Sequence, residues 1–452
     1  AWSETRGVQL LSAGTDVECH LTSVSFSSTE GGMAILAFGR SNGTLGLMSL
    51  YDDPDPSSSR TTPMPRFEVS QPAPIACISW KPVCTIRPSK SQIHPNIPVK
   101  TEDLLVGDEL GNVYYYAVEW PERWEVERYN WAGAMTPLLR ISVHSQQICG
   151  LAWSLNGEEF ATGGNDNLCC LFKTAKVLEV QAQSEAMNGE PQAARQMTTR
   201  INRTSDSSVA ETQVRLHHST PPILGPGSEK HRWIHGAAVK AIAFCPWQDS
   251  LVATGGGSND KCIHFFHTRS GAALASISVS AQVTSLIWST TRREIAATFG
   301  YAQPEHPIRI AVFSWPECQQ VAAIPWAGEH RALYAIPYPN PPSYSDSSRD
   351  RRDYSRAGST GPAAPPGRTS AKGRDKDMVR DDRSVNDSGI RLRRNTVRDG
   401  CIIVASSDKS VKFHEIWSTE DKKVTVSGPG ILGGSDILEG LENIFRDCGV
   451  IR

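Results

Sequence analysis

Short apolar runs alternate with polar turns along this chain in one recurring order. A first run ends in an aromatic residue; a polar turn follows, then a second run closed by small residues, a turn carrying Asp or Asn, and an aromatic-rich third run. The first runs are Ser23-Val24-Ser25-Phe26, Cys77-Ile78-Ser79-Trp80, Gly150-Leu151-Ala152-Trp153, Ala241-Ile242-Ala243-Phe244, Ser285-Leu286-Ile287-Trp288 and Leu333-Tyr334-Ala335-Ile336. The third runs are Leu47–Tyr51, Tyr114–Val118, Cys169–Phe172, Ile263–Phe266, Ile310–Phe313 and Val411–His414. Runs this short, bounded by Gly, Asn and Asp, predict strands, and helical heptads are absent from this region.

A β-rich unit recurring at roughly 40 to 50 residues predicts the four-stranded blades of a WD-repeat propeller. Trp2-Ser3-Glu4-Thr5-Arg6-Gly7 lines up with Phe266-His267-Thr268-Arg269-Ser270-Gly271, the end of a later blade and the turn that leaves it. The expected fold is therefore all-β: a seven-bladed WD-repeat β-propeller whose first blade is mostly missing. An incomplete ring leaves sheet edges open, so the natural protein is expected to extend upstream. Propeller blades are expected over residues 1–174, 231–340 and 399–427.

Three stretches interrupt the pattern. Residues 84–101 are rich in Pro, Lys and Ser, residues 175–230 in Gln, Ser, Thr and Arg, and residues 341–398 carry 14 Lys and Arg against 8 Asp and Glu. Segments of this composition bury too little apolar surface to offset their ordering entropy, so all three are expected to be disordered insertions. Over 428–452, after a Gly-rich stretch, Asp436 can cap a short helix with Glu439 three residues on. That helix places Ile437, Leu438, Leu441, Ile444 and Phe445 on one face, ahead of a terminal Ile451-Arg452.

The chain's 452 residues exceed one ordinary domain, which suits a repeat array. A formal net charge of −2 gives no overall field for nucleic acid or membrane, and neither is expected as a partner. No stretch reaches the ~18 apolar residues of a membrane helix. The eleven cysteines never stand as C-x-x-C, so no cofactor and no metal are expected.

Enzymatic chemistry has little to stand on. Asp166, Asp260 and Asp408 recur at one place in different blades, which favours a repeated structural turn over a single asymmetric catalytic cluster. His144, His235 and His330 each precede a first run and are expected to tie strands together. Gly163-Gly164 and Gly255-Gly256-Gly257 are not followed by Lys-Ser/Thr, as a phosphate loop would be. No catalytic residues are expected.

The stretch His144-Ser-Gln-Gln-Ile-Cys-Gly-Leu-Ala-Trp153 with Ala161-Thr-Gly-Gly-Asn-Asp-Asn-Leu168 resembles a blade of the Fizzy and Fizzy-related proteins. The next two blades are similar to that family in His235-Gly-Ala-Ala-Val-Lys-Ala-Ile-Ala-Phe-Cys-Pro-Trp-Gln248 and in Ser280-Ala-Gln-Val-Thr-Ser-Leu-Ile-Trp288 with Phe299-Gly-Tyr-Ala-Gln303. The resemblance implies a WD-repeat coactivator of the anaphase-promoting complex, a ubiquitin ligase. Such a protein recruits degron-bearing substrates such as cyclins and securin-like proteins, in nucleus and cytoplasm, without being an enzyme. It implies that Asn165, Asn167, Ser258, Gln282 and Arg331 hold a Lys-Glu-Asn degron, and that Ile451 and Arg452 dock on ligase subunits. Amides and hydroxyls offer paired donors and acceptors to a polar peptide, and a guanidinium meets its Glu. The chain departs from the family where its Asp-Glu-Thr reads Asp408-Lys409-Ser410, which weakens attraction for the Arg of a destruction box. The family's Asp-Arg-Phe/Tyr-Ile-Pro activating box does not occur in residues 1–452. Insertions and a loosened last blade resemble the meiosis-specific fungal members. A general WD-repeat scaffold in another complex is the alternative reading.

Overall fold

The computed structural model describes residues 2–3, 7–8, 19–27, 35–49, 65–188, 221–302, 305–338 and 400–417. Among them six sheets follow one another, each antiparallel through its successive strands. Blade one comprises Leu21–Phe26, Ile35–Arg40, Thr44–Ser49 and Phe67–Ser70. Blade two comprises Ile75–Trp80, Pro98–Asp108, Asn112–Glu119 and Ala134–Ser142. Blade three comprises Ile148–Trp153, Glu159–Gly164, Leu168–Lys173 and His231–Ile234. Blade four comprises Val239–Phe244, Leu251–Gly256, Cys262–His267 and Ala273–Ser278. Blade five comprises Ala281–Trp288, Glu294–Ala302, Ile308–Ser314 and Gln320–Pro325. Blade six has three strands, Ala332–Tyr338, Cys401–Ser406 and Val411–Glu415. Every first and third run read from the sequence lies on a strand as far as the described residues reach, Leu47–Tyr51 being described to Ser49. The architecture is an all-β WD-repeat propeller of which six blades are described, so the count of seven is not met by these residues. Trp2–Ser3 pairs antiparallel with Gly7–Val8 as a separate hairpin.

The innermost strands of successive blades pack side by side from blade one to blade six. Two features of the repeat explain this. The indole closing a first run donates to the inner strand of the blade before it: Trp80 Nε1 to Ser25 O at 3.1 Å, Trp153 Nε1 to Ser79 O at 3.3 Å and Trp288 Nε1 to Ala243 O at 3.0 Å. The small residues closing the second run make room for the next blade. A Cβ on Gly163 would stand 2.3 Å from Val239 O, and one on Gly255 would stand 2.4 Å from Val283 Cγ1. Between blades sit apolar clusters such as Phe265, Trp288, Phe299 and Phe313, all buried.

Two of the expected disordered stretches contain regular structure. Thr85–Pro88 pairs with the start of Pro98–Asp108, so residues 84–101 extend blade two as a hairpin. Its polar residues serve a buried carboxylate: Asp103, with no exposed surface, accepts from Tyr115 Oη at 2.7 Å and Thr85 Oγ1 at 2.9 Å, and pairs with Arg87 and Lys81. Within 175–230, a helix runs over Thr174–Asn188, anchored by buried Val177 and by Thr174 Oγ1 donating to Gly157 O at 2.8 Å. Further on, Ile223–Leu224 adds a parallel edge to Ala134–Ser142. Residues 341–398 and the expected helix and tail of 428–452, with Ile451 and Arg452, lie outside the described residues.

Candidate functional site

In each blade the innermost strand begins where the second ends: Ile148 pairs with Gly164, Val239 with Gly256, Ala281 with Ala302 and Ala332 with Ser406. Residues preceding an innermost strand and residues in the turn after the second strand therefore share one end of each sheet. Because inner strands pack side by side, these ends form one face of the propeller. All five degron-binding candidates fall on it, distributed over blades three to six.

Asn165 is exposed at the tip of blade three, its Nδ2 donating to Gln146 Oε1 at 3.0 Å. Asn167 has φ +65°, a left-handed conformation that Asn tolerates better than most residues, and its carbonyl accepts from His235 N at 2.9 Å. Ser258 is half-buried in the turn of blade four. Gln282, half-buried at the start of blade five, receives the Tyr301 N–H on Oε1 at 3.5 Å. Arg331 is exposed ahead of blade six, its backbone N donating to Ser407 Oγ at 2.9 Å and its carbonyl accepting from Ser407 N at 3.0 Å. The set presents amides, a hydroxyl and one cation, which suits a polar peptide carrying an acidic group.

The turn aspartates are bound inward. Asp166 accepts from Ser145 N at 2.9 Å and Leu168 N at 3.3 Å, and its Oδ1 lies 2.9 Å from His144 Nδ1. The other ring nitrogen of His144 meets Thr162 Oγ1 at 2.8 Å. Asp260 turns to His264 Nε2 at 3.0 Å. Asp408 accepts from both the hydroxyl and the backbone N of Ser410, bonds that hold its carboxyl well below the usual range, and it pairs with Lys412 at 3.1 Å. Lys409 between them has φ +65°. The charge of Asp408 is thus already matched by Lys412 on the strand that follows its turn. His330 is exposed; only its carbonyl is engaged, so it ties no strands through its ring in the manner of His144.

Several partners of the face carry little signal in sequence. Arg309, buried beneath it, donates from Nε to His330 O at 2.6 Å and thereby holds the segment that carries Arg331. A lone Arg between Ile308 and Ile310 was the available clue. Asp108 makes the same kind of turn in blade two, accepting from Leu110 N at 2.9 Å and Asn112 N at 2.8 Å. On the inner strands, burial pushes the thiols of Cys77 and Cys149 up, so neither is the thiolate a nucleophile requires.

The profile of the "WD domain, G-beta repeat" family matches residues 135–173. The chain is similar to the "Meiotic fizzy-related protein 2" of Schizosaccharomyces pombe, 28% identical over 98% of this chain and 62% of that protein. It is similar to an uncharacterized WD repeat-containing protein of the same yeast, 30% identical over 67% of this chain and 42% of that one. The "Meiosis-specific APC/C activator protein AMA1" of Saccharomyces cerevisiae is 26% identical over 75% of this chain and 41% of its own length. The chain thus spans less than two thirds of the length of each of these relatives.

Proposed function

The chain belongs to the Fizzy/Fizzy-related family of WD-repeat proteins, and from that premise we propose that it is a substrate-recruiting coactivator of the anaphase-promoting complex. It acts by binding and not by catalysis. The face formed by blades three to six holds a Lys-Glu-Asn degron, with Arg331 meeting the Glu and Asn165, Asn167, Ser258 and Gln282 orienting the peptide. Ile451 and Arg452 dock on the ligase, an apolar side chain for a pocket and a guanidinium for a carboxylate. The ring is completed by a seventh blade to which the Trp2–Ser3 and Gly7–Val8 hairpin contributes. Substrates are cyclins and securin-like proteins, met in nucleus and cytoplasm.

The observation that carries this reading is the gathering of all five candidates on one face of consecutive blades. Family names that include activators of the complex support it. Affinity capture from cell extract tests it, with the full chain compared with one lacking only Ile451 and Arg452. Co-purification of the ligase, sharply reduced by the deletion, is expected. An intact chain that brings down no ligase would leave a general WD-repeat scaffold in its place.

A further inference from the structure

Blades three and four are built alike where they meet the propeller face, yet their histidines are served differently. In blade three, His144 is satisfied at both ring nitrogens, by Asp166 and Thr162. In blade four the corresponding His235 keeps the hydroxyl, Nε2 to Thr254 Oγ1 at 2.7 Å, but its Nδ1 is buried without a hydrogen-bond partner. The carboxylate that would meet it, Asp260, has turned instead to His264 Nε2. His235 is 6% exposed.

Beside the His235 ring lies a set of metal-ligand atoms. Cys262 and His264 alternate on one face of the third strand of blade four, and Asp260 stands in the turn that leads into it. Their ligand atoms lie within 4.8 Å of one another. The His235 ring stands edge-on to that of His264, with centroids 4.9 Å apart. A tetrahedron with arms of about 2.0–2.3 Å has edges of roughly 3.3–3.7 Å, so a small closure would seat an ion. The outer ring nitrogens are already fixed: His264 Nδ1 by Ser276 Oγ at 3.0 Å, His235 Nε2 by Thr254. Hydroxyls on the far nitrogens are the support that metal-bound imidazoles require.

We propose that Asp260, Cys262 Sγ and His264 Nε2 form a site for a borderline-soft divalent cation of the zinc class, with His235 Nδ1 closing onto the ion as the fourth ligand. One thiolate, two imidazoles and one carboxylate favour such an ion over magnesium or calcium. His235 comes from the segment joining blades three and four and the other three from blade four, so the ion clips that segment to the blade. The ion takes Cys262 as its thiolate, whose proton is released to solvent on binding.

The test uses the full chain, stripped with chelator and titrated with Zn²⁺ by calorimetry and with Co²⁺ by absorption spectroscopy. Binding of one ion per chain is expected, with a sulfur-to-cobalt charge-transfer band, and with the melting temperature raised by Zn²⁺. Cys262→Ser should remove the band, and His264→Gln should weaken Zn²⁺ binding by at least about tenfold. Circular dichroism of both variants without metal checks that the propeller is intact. No uptake by the folded wild type, or uptake with an unchanged spectrum and affinity in both variants, would overturn the proposal.

Discussion

Arg309 is a buried cation whose work is done through carbonyls: its guanidinium donates to His330 O at 2.6 Å, His306 O at 2.5 Å and Ile308 O at 3.1 Å. Arg309→Met leaves these acceptors unmet and releases the segment preceding Arg331. The substitution should cost about 1.5–3 kcal/mol in urea denaturation; a loss under about 0.5 kcal/mol would deny Arg309 that part. Histidines set a pH dependence. Burial holds His306 and His414 below the ordinary histidine value, so folding favours their neutral rings. That contribution is present above the unfolded value of about 6.5 and is lost as pH falls below it. The melting temperature should therefore drop between about pH 7.5 and pH 5, less steeply in a His306→Gln/His414→Gln variant. A melting temperature that holds or rises on acidification contradicts this. Among single residues, those whose chemistry is local were legible in sequence: the inward turns of Asp166 and Asp408 follow from Asp before a tight turn. Arg309 was not, because its partners are carbonyls, which every residue has, and their position depends on tertiary packing.

Strands were legible because the repeat states its own purpose. The aromatic ending a first run is a cross-blade donor, and the small residues ending a second run are clearance for the next blade. Trp153→Phe keeps an aromatic ring but loses the bond to Ser79 O and part of the indole's volume, so it should cost about 1–3 kcal/mol, against about 3–5 kcal/mol for Trp153→Ala. A negligible cost for Trp153→Phe would mean that the indole N–H is idle. Gly163→Ala sets a methyl against a backbone carbonyl that cannot rotate away, and should destabilise by about 1–3 kcal/mol; a neutral result would show that the blades can separate slightly. Elements whose cause lies elsewhere in the chain were not legible. Residues 84–101 read as loop material because they are rich in Pro, Lys and Ser, yet Thr85 and Arg87 within them are what a buried Asp103 demands. The helix Thr174–Asn188 has no continuous apolar face, and its first turns dock through Val177 with Leu178 and Val180 packed beside it.

Blade order was legible across the whole chain, since six repeats in sequence became six sheets in space. Ring closure was not. Among the described residues, the inner strands of blades six and one lack the side-by-side packing that joins every other neighbouring pair. Apolar side chains stand open on both: Val24 (58% exposed) and Phe26 (47%) on blade one, Tyr334 (58%) and Ile336 (43%) on blade six. Phe26→Ser in the 452-residue chain should accordingly cost under about 1 kcal/mol, whereas Phe265→Ala, in the core between blades four and five, should cost about 3–5 kcal/mol. A comparable loss at Phe26 would mean that another part of the chain already covers it. The proposed degron binding rests on blades three to six presenting their ends on one face. A fluorescent peptide containing Lys-Glu-Asn, titrated with the full chain and with its Arg331→Glu and Asn165→Ala variants, examines that face. Saturable binding is expected, abolished when Arg331 is reversed in charge and weakened by loss of the Asn165 amide. No binding to the wild type, or equal binding to all three proteins, would contradict a degron-holding face.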